Sequence, residues 1–129
     1  MPTLHLRLTP LHNPQHYAAL GQALTELTAR VLRKRPEVTV VTIDDLPPAR
    51  YHIGGLAATQ TAACLMIQIT AGTNTVEEKS QFIAAAHALL TQQLGQMHPA
   101  SYVTVQELPA TDWGYSGLTQ SARKAARGA

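Results

Sequence analysis

Residues 4–8 read Leu4, His5, Leu6, Arg7, Leu8, a strict alternation that predicts a half-buried strand. Leu65, Met66, Ile67, Gln68 and Ile69 repeat that spacing 61 positions later (65 − 4). A helix start follows each strand. Asn13 is a good N-cap and Pro14 sits where a helix best tolerates proline; in the second half Thr75 and Glu78 form a capping box. Leu20, Leu24, Leu27 and Val31 mark one helical face, and Phe82, Ala86, Leu89 and Gln93 occupy the matching positions 62 further on (82 − 20), with Leu90 and Leu94 widening the stripe. Arg35-Pro36 ends the first helix and Gly95 caps the second. Val41-Thr42-Ile43-Asp44-Asp45-Leu46-Pro47 lies over Val103-Thr104-Val105-Gln106-Glu107-Leu108-Pro109 as a second strand. Both halves then close with an aromatic and glycines, at Tyr51–Gly55 and Trp113–Gly117.

The repeat predicts an α+β fold made of a tandem β-α-β arrangement. Residues 1–129 are one domain, with a first unit at 2–60, a second at 61–118 and a tail at 119–129. One helix joins two strands in each unit, so those strands should be parallel. The units can share a four-stranded sheet with both helices on one face. The other face, carrying Thr3, His5 and Arg7, is left bare and should find a partner copy.

Composition narrows the class. Of the 129 residues, 45% are hydrophobic and 14% charged, which excludes a disordered tail protein. No apolar run approaches the ~18 residues of a membrane span, and the N-terminus does not read as a secretory signal. A formal charge of +2 is too small for a nucleic-acid footprint unless concentrated. Two clusters exist. Arg30, Arg33, Lys34 and Arg35 read as cations closing a helix; Arg123, Lys124 and Arg127 lie in the patternless tail, an exposed arm or short helix. The lone Cys64, in an apolar run, reads as a buried small hydrophobe in a reducing, cytoplasmic protein. No metal-ligand spacing emerges from the six histidines, and there is no phosphate loop or Gly-x-Ser-x-Gly elbow, so neither metal nor cofactor is expected.

Met1-Pro2 running into an alternating strand, then an amphipathic helix, a second strand and a glycine-rich aromatic closure, resembles the tautomerase superfamily founded on 4-oxalocrotonate tautomerase. The doubling resembles its fused members, which assemble as trimers. The resemblance implies that Pro2, once Met1 is removed, is the catalytic residue. An α-amine has a pKa near ~8, and burial lowers it, making a general base near neutral pH. The matching position in the second unit, Ala63, has no free amine, so one active site per chain is expected. The arginines on which the family usually relies would fall at His12, Asn74, Val40 and Tyr102, and none of these is arginine. The decarboxylase and dehalogenase activities, whose paired arginines would fall near Ala71 and Asn74, lose support accordingly. Asn74 and Tyr102 remain as substrate-binding donors, with Trp113 and Tyr51 as ring walls; Tyr115 reads as a packing residue, and Arg7 or Arg50 could supply charge.

The implied function is a cofactor-free tautomerase or isomerase. Pro2 would move a proton on a small 2-oxo or enol acid, in a homotrimer without nucleic-acid or membrane partners. The missing arginines motivate a rival, a non-catalytic tautomerase-like trimer serving as a small-molecule binding or scaffold module. A ferredoxin-like sensing domain shares the same element order.

Overall fold

The computed structural model describes residues 1–10 and 12–128. Strand β1 (Thr3–Thr9) leads into helix α1 (Pro14–Leu32) and strand β2 (Val40–Asp45). A short hairpin, β3 (His52–Ile53) and β4 (Leu56–Ala57), closes the first unit. The second unit repeats the order: β5 (Ala62–Thr70), α2 (Val76–Leu94), β6 (Tyr102–Leu108), and a hairpin of β7 (Gly114–Tyr115) and β8 (Leu118–Thr119). The tail forms helix α3 (Gln120–Gly128).

The main sheet runs β2-β1-β5-β6. Within each unit the strands are parallel, as a single crossover helix requires, and the units meet through antiparallel β1 and β5. Strand alternation decides the rest. Leu4, Leu6 and Leu8 of β1 and Leu65, Ile67 and Ile69 of β5 are buried in one core with Leu20, Leu24 and Leu27 of α1 and Phe82, Ala86 and Leu90 of α2. The opposite face has no helical cover. It carries Thr3, bonded to Gln68 (3.0 Å), and His5, 2.7 Å from Asp44.

The termini of the two long helices are fixed by side chains. Asn13 accepts from Gln15 N–H, and Thr75 and Glu78 make both bonds of the capping box. Helix α1 ends earlier than the Arg35-Pro36 signal predicts. The chain turns left-handed at Arg33 (φ 59°), and the Asn74 amide of the other unit donates to the freed Leu32 carbonyl at 3.0 Å. Cys64 also departs from expectation. Alternation places it beside buried Ala63 and Leu65 but on the bare face, half-exposed, 3.3 Å from the Tyr51 hydroxyl.

Candidate active site

Antiparallel pairing of β1 with β5 sets Thr3 opposite Gln68, so the N-terminus reaches the end of β5 and the loop beyond it. A cavity of about 390 Å³ opens there. Its lining includes Met1, the Thr70–Thr73 loop and Tyr115 of the second hairpin. Pro2 is buried at its edge, its carbonyl accepting from Val40 N–H (3.1 Å) and its nitrogen tied up in the Met1 peptide bond. The amine opening the chain at Met1 is held below its ordinary pKa, chiefly by burial and then by the Lys34 and Arg35 charges.

The cavity is strongly basic. Arg35 approaches from the segment after α1, while Arg123, Lys124 and Arg127 come from α3. Arg30 in the last turn of α1 and Arg33 at its C-cap fit the reading of the first cluster as a helix terminus, and the tail is a short helix; folding also brings Arg35 of the first cluster to one cavity with Arg123, Lys124 and Arg127 of the second. Local contacts explain the convergence. Gln120 N–H donates to the Trp113 carbonyl (2.7 Å), its side chain accepts from Thr70 Oγ1 (2.6 Å), and Ala122 N–H donates to Thr119 Oγ1 (3.0 Å). These bonds pin the start of α3 over the end of β5. The preceding hairpin is tight at Gly114, where a Cβ would stand 2.6 Å from the Leu118 carbonyl oxygen.

Charge balance leaves this basic cluster available to an anion. Glu78 pairs with Arg33 (2.7 Å) and Glu107 with Lys79 (2.8 Å). Both carboxyls titrate below their usual range, Glu78 first through the Thr75 backbone N–H and Glu107 first through Lys79. Arg35 engages Glu37 through Nε (2.9 Å). Arg123 stacks over Tyr115, 4.1 Å from the ring centroid, and donates to the Tyr115 carbonyl (2.9 Å). Among the described residues, Arg123, Lys124 and Arg127 have no ion-pair partner. Two buried donors on the cavity's lining residues, Gln120 Nε2 and Arg123 Nε, have no hydrogen-bond partner. Buried donors left open in this way suit a ligand acceptor.

Of the expected residues, Pro2 and Asn74 are chain neighbours of the lining residues Met1 and Thr73. The Asn74 amide is committed to structure, donating to Leu32 O (3.0 Å) and Glu78 Oε1 (3.3 Å). Asn74→Ala should therefore lower stability by about 1 kcal/mol, read as a fall in the denaturation midpoint at unchanged slope. Trp113 contributes its carbonyl to α3, while the neighbouring Tyr115, expected only to pack, is the ring on the cavity wall. Tyr51 and Tyr102 lie elsewhere. With Arg7 and Arg50 they line a second cavity at the opposite end of β5.

Two β-α-β units sharing one sheet have known counterparts. The Tautomerase family model, described as a tautomerase enzyme, matches residues 64–123. No curated protein matches the chain. Among solved structures, an F6 fused 4-OT wild-type asymmetric trimer is similar at 25% identity and a TM-score of 0.86, with 94% of this chain and 98% of that one covered. A native fused 4-OT is similar at 27% identity and a TM-score of 0.85, covering 93% and 97%. Pt0534 inactivated by 2-oxo-3-pentynoate shares the fold at 17% identity and a TM-score of 0.85, over 94% and 98%. The tautomerase family match covers the second β-α-β unit, and over its whole length the chain is similar in fold to fused 4-OT structures.

Proposed function

We propose that this protein is a cofactor-free tautomerase whose base is the Pro2 amine, freed by removal of Met1. The observation that carries this reading is the convergence of Arg35 with Arg123, Lys124 and Arg127 on the cavity at the N-terminus. Those cations supply the carboxylate binding that the family's usual positions lack, and they weaken the case for a non-catalytic scaffold. The substrate is a small enol or 2-oxo acid. Its carboxylate pairs with the α3 cations and Arg35, which places the enol carbon and oxygen beside Pro2. Neutral Pro2 takes the proton from the enol hydroxyl, electrons move to the carbonyl, and the prolinium returns that proton to carbon. Each cycle leaves the amine neutral, so no cofactor is consumed. Burial first and then Lys34 and Arg35 lower the pKa of the amine at Met1, and the same surroundings would favour the neutral form of a Pro2 amine.

The test combines intact mass, to show loss of Met1, with ketonisation of phenylenolpyruvate or 2-hydroxymuconate by Pro2 variants. Full activity with the amine blocked would sink the mechanism. Trimeric assembly belongs to the same proposal, since the F6 fused 4-OT trimer is similar in fold and the sheet leaves a face uncovered. Light scattering should return three times the 13.9 kDa chain mass; a monomer overturns it.

A further inference from the structure

The second cavity, about 480 Å³, is built from the same parts as the first, exchanged between units. The first cavity lies where the start of β1 meets the end of β5, beside the second hairpin and the approach to β2. The second lies where the start of β5 (Cys64) meets β1 (Arg7), beside the first hairpin and the approach to β6 (Ala100, Tyr102). Duplication of the chain therefore duplicated the cavity, and the second copy kept cationic and aromatic walls. At Pro2's place it has Ala63, buried within the chain and without an amine.

We infer that this second cavity is a separate binding site for a small carboxylate with an apolar or aromatic body, which is held there without proton transfer. Arg7 and Arg50 both line it, and among the described residues neither has an ion-pair partner. Two guanidinium groups on one concave surface suit a carboxylate, by bidentate or shared bonds. The Tyr51 and Tyr102 rings and Leu46 provide the apolar walls. Burial and the Cys64 sulfur 3.3 Å away push the Tyr51 hydroxyl well above its ordinary range, so it stays protonated at neutral pH and able to donate. No lysine or terminal amine lines the cavity, and the ring of its one histidine, His52, is engaged by the Ala49 carbonyl through Nε2 at 2.9 Å. A ligand here would be bound and released unchanged. The site stands on its own geometry and does not depend on Pro2.

Cys64 gives a reporter confined to this cavity, because it is the chain's single cysteine. Alkylation by iodoacetamide, followed by intact mass, should slow at least fivefold in saturating phenylacetate. Protection should persist when the Pro2 amine is blocked, which separates this site from the proposed catalysis. Arg50→Ala, at an exposed turn position, and Arg7→Ala/Arg50→Ala should weaken protection tenfold or more. Calorimetry with phenylacetate should find one equivalent per chain more in the wild type than in the double variant. Unchanged alkylation of a reactive Cys64, protection that survives both arginine substitutions, or an equal count in the wild type and the double variant each overturns the inference. Where iodoacetamide does not reach Cys64, the calorimetric count alone decides.

Discussion

Pro2→Leu is expected to reduce kcat/KM for phenylenolpyruvate ketonisation by about 10²–10⁴-fold, the usual contribution of a positioned general base. A large side chain after Met1 prevents its removal. The residue-2 nitrogen then remains an amide, and the nearest amine is displaced by one residue, about 3.8 Å. Pro2→Ala is milder, because Met1 is still removed and a primary amine remains at the same place, without the ring that fixes its lone pair. The order wild type, Pro2→Ala, Pro2→Leu in activity is the signature of amine catalysis, and equal rates for all three contradict it. The pH profile adds an independent reading. The amine at Met1 is depressed by burial first and by Lys34 and Arg35 next; a Pro2 amine freed among the same groups is expected to be lowered likewise, and only its neutral form is a base. Activity is therefore present above the depressed pKa and lost as pH falls through it, on the acid side of the ordinary value near ~8. Lys34→Met or Arg35→Met removes a nearby positive charge, raises that pKa and moves the acid limb to higher pH. A limb that does not move would place the titrating group elsewhere.

The fold was open to reading because each element is set by local chemistry. Alternation at Leu4–Leu8 and Leu65–Ile69, the Asn13 and Thr75 caps, and the leucine stripes all act within one turn or one strand. The repeat multiplied those weak signals, and the β-α-β order then left few topologies. The site was less legible. Pro2 is marked by its position in the chain. Arg35 and Arg123 are 88 residues apart (123 − 35), and their meeting depends on antiparallel β1–β5 pairing and on three bonds that dock α3. Helix α3 buries no residue, so no hydrophobic pattern betrayed where it would lie. Asn74 illustrates the opposite failure. Its place at a family arginine position suggests a ligand, yet its amide is spent on a helix end that belongs to the other unit. Tyr51 and Tyr102 are expected near Pro2 because they match positions that the resembled family uses around its pocket. Equivalence by repeat points to the duplicate cavity rather than the original.

That docking of α3 yields the second large effect. A chain ending after Ser121 lacks Arg123, Lys124 and Arg127 but keeps Gln120 and its bonds to β5. Because α3 contributes no buried residue to the core, the thermal midpoint should change little. Substrate binding should suffer. Each hydrogen bond to a charged group contributes about 1.5–3 kcal/mol, so loss of one or two lowers kcat/KM roughly 10²-fold or more, expressed mainly in KM. Charge itself is separated from packing by two controls. With the full chain, KM should rise with ionic strength, and this dependence should flatten in the truncated form, since exposed cations act over about 8–10 Å in ordinary buffer. The full chain should also prefer the carboxylate of phenylenolpyruvate over its methyl ester, and truncation should erase most of that preference while leaving ester turnover nearly intact. Arg123→Lys retains charge but loses the planar group stacked on Tyr115 and recovers only part of the effect. A truncated chain that kept full carboxylate preference would remove α3 from the site and return the binding of the anion to Arg35.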